Sequence, residues 1–409
     1  MSCRFCKTEE LFPFIDLGTS PPSNAYLSFD NLNKSERWYP LKVNVCPKCF
    51  LVQTDDYTDA SDLFDQNYAY FSSYSKTMLE HSKKYVNEML INYNLNENSY
   101  VVEIAANDGY LLQYFIENGV PCLGVEPTSS TATAARDKGI EIIEEFFGVN
   151  LAKKLTSCGK TADLVIANNV LAHVPDINDF VQGVSILLND SGVATFEFPY
   201  LINLIEKVQF DTIYHEHFSY LSLSTVSKIF TENGLEIFDV ETHDIHGGSL
   251  RVFAQKNNTK DKYKVTSAVK NILQYESING YLTKEKYRGF QLKAEQLKDD
   301  FVKFLIEAKK NSKKVFAYGA AAKGNTFINF SGIRKDLIQC VIDRNPAKQK
   351  KYLPGSRIPI FDENEILSNR PDYIVILPWN LENEIISQLD YVREWGGEFV
   401  IAIPELKLR

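Results

Sequence analysis

Short apolar runs alternate with amphipathic stretches along the middle of the chain, beginning at residue 100. Tyr100–Ile104 is β-branched and apolar, Asn107–Gly109 has the composition of a turn, and Tyr110–Asn118 repeats apolar residues at helical spacing. Leu123–Val125 is apolar again, so this stretch predicts a strand, a helix and a second strand. The pattern indicates an α/β domain with a mostly parallel, Rossmann-like sheet. Further strands are predicted just before Glu144 and over Ala162–Ala167, Val193–Phe198, Leu235–Val240 and Leu250–Ala254.

Acidic residues stand at the ends of the first two predicted strands, Glu103 and Glu126. Nucleotide-binding α/β folds place a carboxylate at the end of the second strand, where it binds ribose hydroxyls. The intervening turn lacks the full Gly-x-Gly-x-x-Gly pattern and carries Asp108, and carboxylates repel a pyrophosphate but suit a cation. S-adenosylmethionine (SAM), which has a sulfonium and no phosphate, is therefore favoured over NAD. The other alternative is that this strand–helix–strand unit is a plain crossover that binds no ligand. The predicted cofactor contacts are Glu103, Ala105, Asn107, Asp108, Glu126, Pro127, Phe146, Phe147, Asn168 and Asn169.

A second strand, turn and helix pattern begins at Lys314 and has small residues over Gly319–Gly324. A helix that follows such a turn can bind an anion at its N-terminus, and Lys323 adds a positive charge. This part of the chain is predicted to bind a nucleotide diphosphate, with a crossover that binds no ligand as the alternative. The charged segment Lys256–Lys313 predicts connecting helices. Additional strands are predicted over Gln339–Asp343, Tyr373–Leu377 and Phe399–Ile403.

The composition is typical of globular proteins, with 44% hydrophobic and 24% charged residues. At 409 residues the chain is too long for one core, so two or three domains are expected. A formal net charge of -9 without basic runs argues against nucleic acid as a partner. No apolar stretch reaches membrane-spanning length, and Met1–Glu10 lacks the pattern of a signal peptide. We expect a cytoplasmic enzyme with no membrane partner, for which a monomer is plausible.

Four of the seven cysteines form two Cys-x-x-Cys pairs, Cys3 with Cys6 and Cys46 with Cys49. In a chain without a secretion signal, such pairs indicate a metal site before a disulfide, and four thiolates suit tetrahedral zinc. A catalytic zinc needs an open coordination position, which four cysteine ligands do not leave, so a structural ion is predicted. The segment between the pairs is rich in turn residues, and we expect it to have little core of its own.

The densest group of titratable residues is the stretch from Tyr214 to Tyr220, Tyr-His-Glu-His-Phe-Ser-Tyr. It supplies possible bases, a carboxylate and phenolic donors at one place, which favours acid–base chemistry. A metal site is one alternative, although the spacing is not that of His-Glu-x-x-His, and structural hydrogen bonding is another. His173 follows a predicted strand, at the edge where open α/β sheets bind ligands.

Adjacent glycines at positions 247 and 248 lie between two predicted strands and permit a hairpin that a ligand can approach closely. Arg251 follows them and is of the type that pairs with phosphate, although a simple hairpin turn would also explain the glycines. The predicted substrate contacts are His246, Gly248, Arg251, Gly319, Ala321, Lys323 and Asp343.

In combination these motifs resemble those of the three-domain nucleotide-sugar C-methyltransferases, which methylate C-3 of nucleotide-linked 4-keto-deoxysugars on the way to branched-chain sugars. The resemblance covers nearly the whole chain. It implies a zinc-binding domain over residues 1–68, a class I SAM-methyltransferase domain over 69–256, a helical connector over 257–312 and a Rossmann-like nucleotide-sugar-binding domain over 313–409. The motifs that carry it, in chain order, are the four cysteines, Glu103–Gly109, Gly124–Pro127, Tyr214–His217, His246–Ser249, Gly319–Gly324 and Asp343–Pro346.

The resemblance also implies a set of catalytic residues. A 4-keto group acidifies the C-3 proton, so the reaction needs a base, donors to the developing enolate oxygen, and a methyl group in line with the carbon. His217 is the predicted base, with His215 as an alternative, and Glu216 is expected to orient the donors. Ala105 stands where the family pattern has glycine, in the cofactor turn. The catalytic candidates are Tyr68, His173, Tyr214, Glu216 and His217, with Tyr214 and His173 as the donors.

Two other functions remain open at this point. An O- or N-methyltransferase acting on a nucleotide sugar would use the same base on a hydroxyl or an amine. A non-catalytic nucleotide-sugar-binding protein is the second, although binding alone does not require so many titratable groups in one stretch.

Overall fold

The computed structural model describes residues 2–55, 57, 71–259 and 263–409, and its strands form three sheets. The N-terminal sheet is antiparallel with strand order β1-β2-β3-β9. Alternate positions of its long strands are buried, including Phe14, Leu41 and Val43, and they join the hydrophobic cluster that runs through the rest of the chain. The expectation that this region has little core is therefore wrong, because its turn-rich composition conceals two strands with an apolar face. The strands are β1 (Phe12–Ser20), β2 (Tyr39–Val45), β3 (Val52–Thr54) and β9 (Ser219–Tyr220).

The central sheet has strand order β10-β11-β8-β7-β4-β5-β6 and confirms the predicted Rossmann-like pattern. Its β4–β8 part is parallel, whereas β10 and β11 pair antiparallel at one edge. The chain reverses its direction of travel across the sheet between β4 and β7, which is where α/β folds bind ligands. The strands are β4 (Val101–Ile104), β5 (Cys122–Val125), β6 (Glu141–Ile143), β7 (Ala162–Asn168), β8 (Leu188–Pro199), β10 (Leu235–His243) and β11 (Ser249–Lys256).

Helices cover both faces of the central sheet, and side chains cap several of them. Ser75 accepts from the Met78 amide at the start of the first helix, and Asp176 accepts from two amides at the start of the fifth. The helices are α1 (Lys76–Asn92), α2 (Leu112–Glu117), α3 (Ser129–Asp137), α4 (Val149–Ser157), α5 (Ile177–Leu187), α6 (Leu201–Glu206) and α7 (Leu223–Glu232), followed by the connecting helices α8 (Ser267–Ile278) and α9 (Phe290–Lys310).

The C-terminal sheet has strand order β14-β13-β12-β15-β16-β17 and is parallel except for β17. It confirms the second Rossmann-like unit. No helix in the described parts of the chain is long and apolar enough to cross a membrane. The elements are β12 (Val315–Tyr318), α10 (Ala322–Phe330), β13 (Val341–Ile342), β14 (Ile360–Phe361), α11 (Asn364–Asn369), β15 (Tyr373–Ile376), α12 (Glu382–Gln388), β16 (Glu398–Ile401) and β17 (Lys407–Leu408).

Candidate active site

A cavity of about 520 Å³ lies where the three sheets meet. The carboxyl ends of β4, β5 and β7 form one wall, the loop before β9 forms a second, and the start of α10 forms a third. A segment of the N-terminal region also reaches the wall, through Asn24. The cavity thus combines residues from distant parts of the chain, as sites between domains commonly do.

The turn after β4 approaches the cavity with its backbone. Ala105 and Asn107 have φ of 58° and 50°, in the left-handed region, so Ala105 occupies a conformation that favours the glycine it replaces. Glu126, at the end of β5, accepts from the amides of Asn107 at 3.0 Å and Thr128 at 2.9 Å. Burial raises the pKa of Glu126, and these backbone amides oppose that effect. The carboxylate is therefore fixed in the wall, where its remaining lone pairs can accept hydroxyl groups.

This wall fits SAM. Asn168 and Asn169 lie beside Glu126 at the end of β7, and within the described part of the chain the buried Oδ1 of Asn168 has no hydrogen-bond partner, so it suits a donor group of a ligand. Phe146 is 55% exposed at the cavity and can cover an adenine ring. Phe147 also reaches the cavity but packs on Phe180, with ring centres 5.6 Å apart.

Two predicted cofactor contacts lie behind this wall rather than in it. Glu103 is 1% exposed, and neither carboxylate oxygen has a partner among the described residues. Burial, with the charge of Asp108, raises the pKa of Glu103 well above its ordinary value. Asp108 accepts from the Ser73 amide at 3.3 Å and lies 3.7 Å from the ammonium of Lys138. Asp108 therefore supports the turn, whereas Glu103 is buried behind it. The other predicted contacts, including Pro127, line the cavity.

His217 and Tyr214 form a hydrogen-bonded pair in the cavity wall. His217 Nδ1 lies 2.9 Å from the carbonyl oxygen of Thr212, so this nitrogen carries the proton and donates. Nε2 then accepts from the Tyr214 hydroxyl at 2.7 Å. Thr212 was not predicted from sequence, because a backbone carbonyl leaves no residue-type signal. His217 is thereby oriented to act as a base toward the phenol.

His173 is oriented in the same way, by the backbone carbonyl of Glu216. Its Nδ1 donates to that oxygen at 2.7 Å, which leaves Nε2 as an acceptor. Burial lowers the pKa of His173 to about 4, so the ring is neutral near pH 7. The prediction that His173 donates to an enolate is therefore wrong, because its single ring proton is committed to the backbone.

Glu216 lines the cavity, but its carboxylate does not orient the histidines. Oε1 accepts from the side-chain amide of Asn24 at 3.1 Å, whereas the two rings are held by backbone carbonyls. His173 is therefore oriented by the backbone carbonyl of Glu216 and not by its carboxylate, whereas the predicted role of the carboxylate toward Tyr214 stays a prediction. Its neighbour His215 faces away from the cavity and meets the carbonyl of Tyr39 at 3.3 Å. Tyr68, the remaining catalytic candidate, lies outside the described residues.

The start of α10 brings two predicted substrate contacts, Ala321 and Lys323, into the wall. The ammonium of Lys323 donates to Asn380 Oδ1 at 2.7 Å and lies 4.6 Å from the ring centre of Trp379. Burial lowers the pKa of Lys323, and the charge of Asp211 opposes this. Lys348, which sequence reasoning missed, adds a second ammonium to the same wall.

Four other predicted substrate contacts have different positions. Asp343 accepts from the amides of Ala320 at 2.7 Å and Asn345 at 2.8 Å. It therefore stabilises the turn and does not line the cavity. Gly319, in that turn, faces Pro378, and Gly248 faces Asn203. His246 lies beside Gly247 in a short helical turn of the hairpin, and its side chain is outside the described atoms.

Arg251 is 1% exposed and lies in the core between α1 and the central sheet. Its guanidinium donates to Glu197 at 2.8 Å and 3.1 Å and to Glu241 at 3.1 Å, and it lies beside His81. Burial alone would raise the pKa of Glu197, but the hydrogen bond with His81 and the charge of Arg251 lower it to about 2. The predicted phosphate contact is therefore wrong, because the guanidinium is already neutralised inside the protein.

The four predicted zinc ligands converge at the N-terminal end of the molecule. The sulfur atoms of Cys3 and Cys49 are 3.5 Å apart, and those of Cys6 and Cys46 are 3.4 Å apart. All four lie within 4.8 Å of one another. Tetrahedral zinc with bonds of about 2.3 Å would place its sulfurs about 3.8 Å apart, so the cluster fits a structural zinc ion.

Three family models match successive parts of the chain. They are described as a zinc binding domain (residues 3–64), a methyltransferase domain (residues 76–240) and a C-methyltransferase C-terminal domain (residues 244–404). The chain is 33% identical over 403 residues to C-methyltransferase NovU of Streptomyces niveus, covering 98% of this chain and 95% of that protein.

Solved structures also resemble part of the chain. Magnesium protoporphyrin IX methyltransferase from Synechocystis PCC 6803 with bound SAM is 15% identical, with a TM-score of 0.34, over 44% of this chain and 79% of that one. The PH0226 protein of Pyrococcus horikoshii OT3 is 15% identical, with a TM-score of 0.39, over 49% of this chain and 100% of that one.

Proposed function

Because the chain belongs to the C-methyltransferase family, we propose that it methylates C-3 of a nucleotide-linked 4-keto-deoxysugar, as a step toward a branched-chain sugar. Family membership makes it a SAM-dependent methyltransferase that forms a bond to carbon. The sugar, the position on it and the roles of individual residues are our proposal. The observation that carries it is that the wall of one cavity contains the SAM-type turn, the Tyr214–His217 pair and two lysines.

Each end of the cavity would hold a different ligand. Glu126, Asn168 and Phe146 would bind the cofactor, which supplies the methyl group when bound. Lys323 and Lys348, with the N-terminus of α10, would bind the pyrophosphate of the nucleotide sugar. The sugar would then lie between the lysines and the Tyr214–His217 pair.

The Tyr214–His217 pair would remove the C-3 proton. The Tyr214 oxygen takes that proton while its own hydroxyl proton passes to Nε2 of His217, so the pair ends as a neutral phenol and an imidazolium. The electron pair left on C-3 would be delocalised onto the 4-keto oxygen as an enolate, and C-3 would then bond to the methyl carbon as the bond from that carbon to the sulfonium sulfur breaks, leaving a neutral thioether. Since Nδ1 of His217 is fixed on Thr212, the imidazole cannot turn its basic nitrogen away from the phenol.

The product distinguishes this proposal from its rivals. Incubation with SAM and a panel of nucleotide-linked 4-keto sugars deuterated at C-3 should yield a product that gains one methyl group and releases the deuteron. A product methylated on oxygen or nitrogen, with the deuteron retained, would show the reaction to be of another type.

A further inference from the structure

Among the residues that the structure describes, the N-terminal region reaches the active site through the short segment of residues 23–27. Two neighbours of Asn24 attach this segment to the C-terminal part of the chain: Tyr26 donates its hydroxyl to the Ala320 carbonyl at 2.6 Å, and the Ser23 hydroxyl lies 3.3 Å from that of Thr326. The backbone of Leu27 also pairs with Tyr352. Asn24 itself lies in the cavity wall and donates to Oε1 of Glu216.

Glu216 has one carboxylate oxygen that the described part of the chain leaves without a partner. The residue is 1% exposed, and Oε2 is buried in the cavity wall without a hydrogen bond. A buried carboxylate oxygen is costly to leave unpaired, so this position favours a donor that arrives with a ligand. Sugars present hydroxyl donors, whereas neither histidine of the cavity has a ring proton to spare, since both donate to backbone carbonyls.

We propose that Asn24 is a positioning residue, which holds Oε1 of Glu216 so that Oε2 accepts a hydrogen bond from a hydroxyl group of the bound sugar. This inference rests on the proposed function. It assigns the N-terminal module a direct part in the reaction site, because the module that contains the cysteine cluster supplies the residue that orients Glu216.

The test uses the isosteric variant Asn24→Asp and the double variant Asn24→Asp/Glu216→Gln in the full-length protein. Asn24→Asp removes the amide donor, and loss of one hydrogen bond to a charged group should lower kcat/KM by about 10- to 100-fold. The double variant restores an amide–carboxylate pair with its two members exchanged. It should recover the thermal stability of the wild type but only part of its turnover, because the oxygen that faces the sugar is then a neutral amide oxygen, which is a weaker acceptor than a carboxylate oxygen.

Recovery of stability together with the full wild-type turnover in the double variant would show a purely structural pair and overturn the proposal. SAM affinity, measured by calorimetry, should be unchanged in both variants; a parallel loss would assign the orphan oxygen to the cofactor instead. Ser23→Ala is the matched control, since it removes a neighbouring contact of the same segment, and its kcat/KM should stay close to that of the wild type. Wild-type protein inactive on every 4-keto sugar would refute the proposed function itself, whereas an active wild type with an unaffected Asn24→Asp would refute only this inference.

Discussion

Backbone carbonyl groups determine which ring nitrogen carries the proton in His173 and His217, the two histidines in the cavity wall. Each ring donates Nδ1–H to a carbonyl oxygen, of Thr212 for His217 and of Glu216 for His173, and each therefore presents an unprotonated Nε2. Residue type alone predicted the presence of a base at this position, but it also predicted a donor role for His173 that the hydrogen bond rules out. A single ring proton cannot serve a carbonyl and an enolate together.

Replacement of His217 by asparagine should lower the rate of methyl transfer by about 10²–10⁴, the usual contribution of a positioned general base. Binding of SAM and of the nucleotide sugar should persist, because neither predicted binding region depends on the imidazole. Solvent exchange of the C-3 proton, measured in deuterated water, should be lost with the turnover. His215→Asn is the control, since that ring faces Tyr39 outside the cavity, and the assignment is wrong if His215→Asn abolishes exchange while His217→Asn does not.

Glu126 should be required for SAM affinity. Glu126→Ala removes the carboxylate that the amides of Asn107 and Thr128 hold in the wall, and the expected loss of binding free energy is about 1.5–3 kcal/mol, as for hydrogen bonds to charged groups. Calorimetric titration with SAM measures it directly. Glu141→Ala, on the neighbouring strand and paired with Lys160 at the surface, is the matched control and should bind SAM normally. Equal affinity in wild type and Glu126→Ala would exclude the role.

At the scale of elements, periodicity predicted the strands and most helices, because an apolar run or an amphipathic repeat is a local property of the chain. The positions of polar residues at the ends of these elements were harder to predict. Asp343 and Arg251 have the residue types of ligand contacts, yet one holds a turn and the other fills the core. Their partners, Ala320 and Glu197, lie elsewhere in the sequence, so only the folded structure shows that Asp343 and Arg251 are already hydrogen-bonded within the protein.

The contact between α1 and β11 should depend on Arg251. Arg251→Met leaves the buried carboxylate of Glu197 without its cation, which should lower the free energy of unfolding by about 3–5 kcal/mol. Lys256→Met on the same strand removes an ion pair with the exposed Asp190 and should cost at most about 1 kcal/mol. Urea unfolding followed by circular dichroism measures both. A loss of nucleotide-sugar affinity in Arg251→Met without a loss of stability would restore the phosphate-binding role.

The hydrogen-bonded network of Arg251, Glu197 and His81 makes the free energy of unfolding depend on pH. The folded-state pKa of Glu197 is about 2, below its ordinary value of 4.5, so its contribution is fully present above about pH 4.5 and is lost as the pH falls toward 2. Comparison of wild type with Glu197→Gln isolates this group. The difference in free energy of unfolding between the two should shrink as the pH is lowered through that window, and a difference independent of pH would contradict the assignment.

At the scale of the whole molecule, the cavity lies between three sheets, and its wall takes residues from the loops of each. Sequence motifs could not show how these sheets are arranged around it. The Cys-x-x-Cys pairs predicted a zinc cluster because ligand type and spacing are sufficient for tetrahedral coordination. The contact between Asn24 and Glu216 had no comparable signal, since the Pro-Pro-Ser-Asn stretch has only the composition of a turn. Such a contact depends on how the N-terminal region docks against the other two parts of the chain.

Removal of zinc should therefore impair methyl transfer more than it impairs folding. The N-terminal strands share the hydrophobic cluster of the rest of the chain, so a chelator should loosen the cysteine loops without unfolding the central sheet. Turnover should fall because these loops belong to the module that supplies Asn24, whereas SAM affinity should persist because the cofactor wall is built by β4, β5 and β7. Cys46→Ser should lose the metal by elemental analysis, and Cys158→Ser, at an exposed cysteine outside the cluster, should retain it. Protein purified without chelator that contains no zinc, or chelated protein with full turnover, would contradict this coupling between the metal and the distant site.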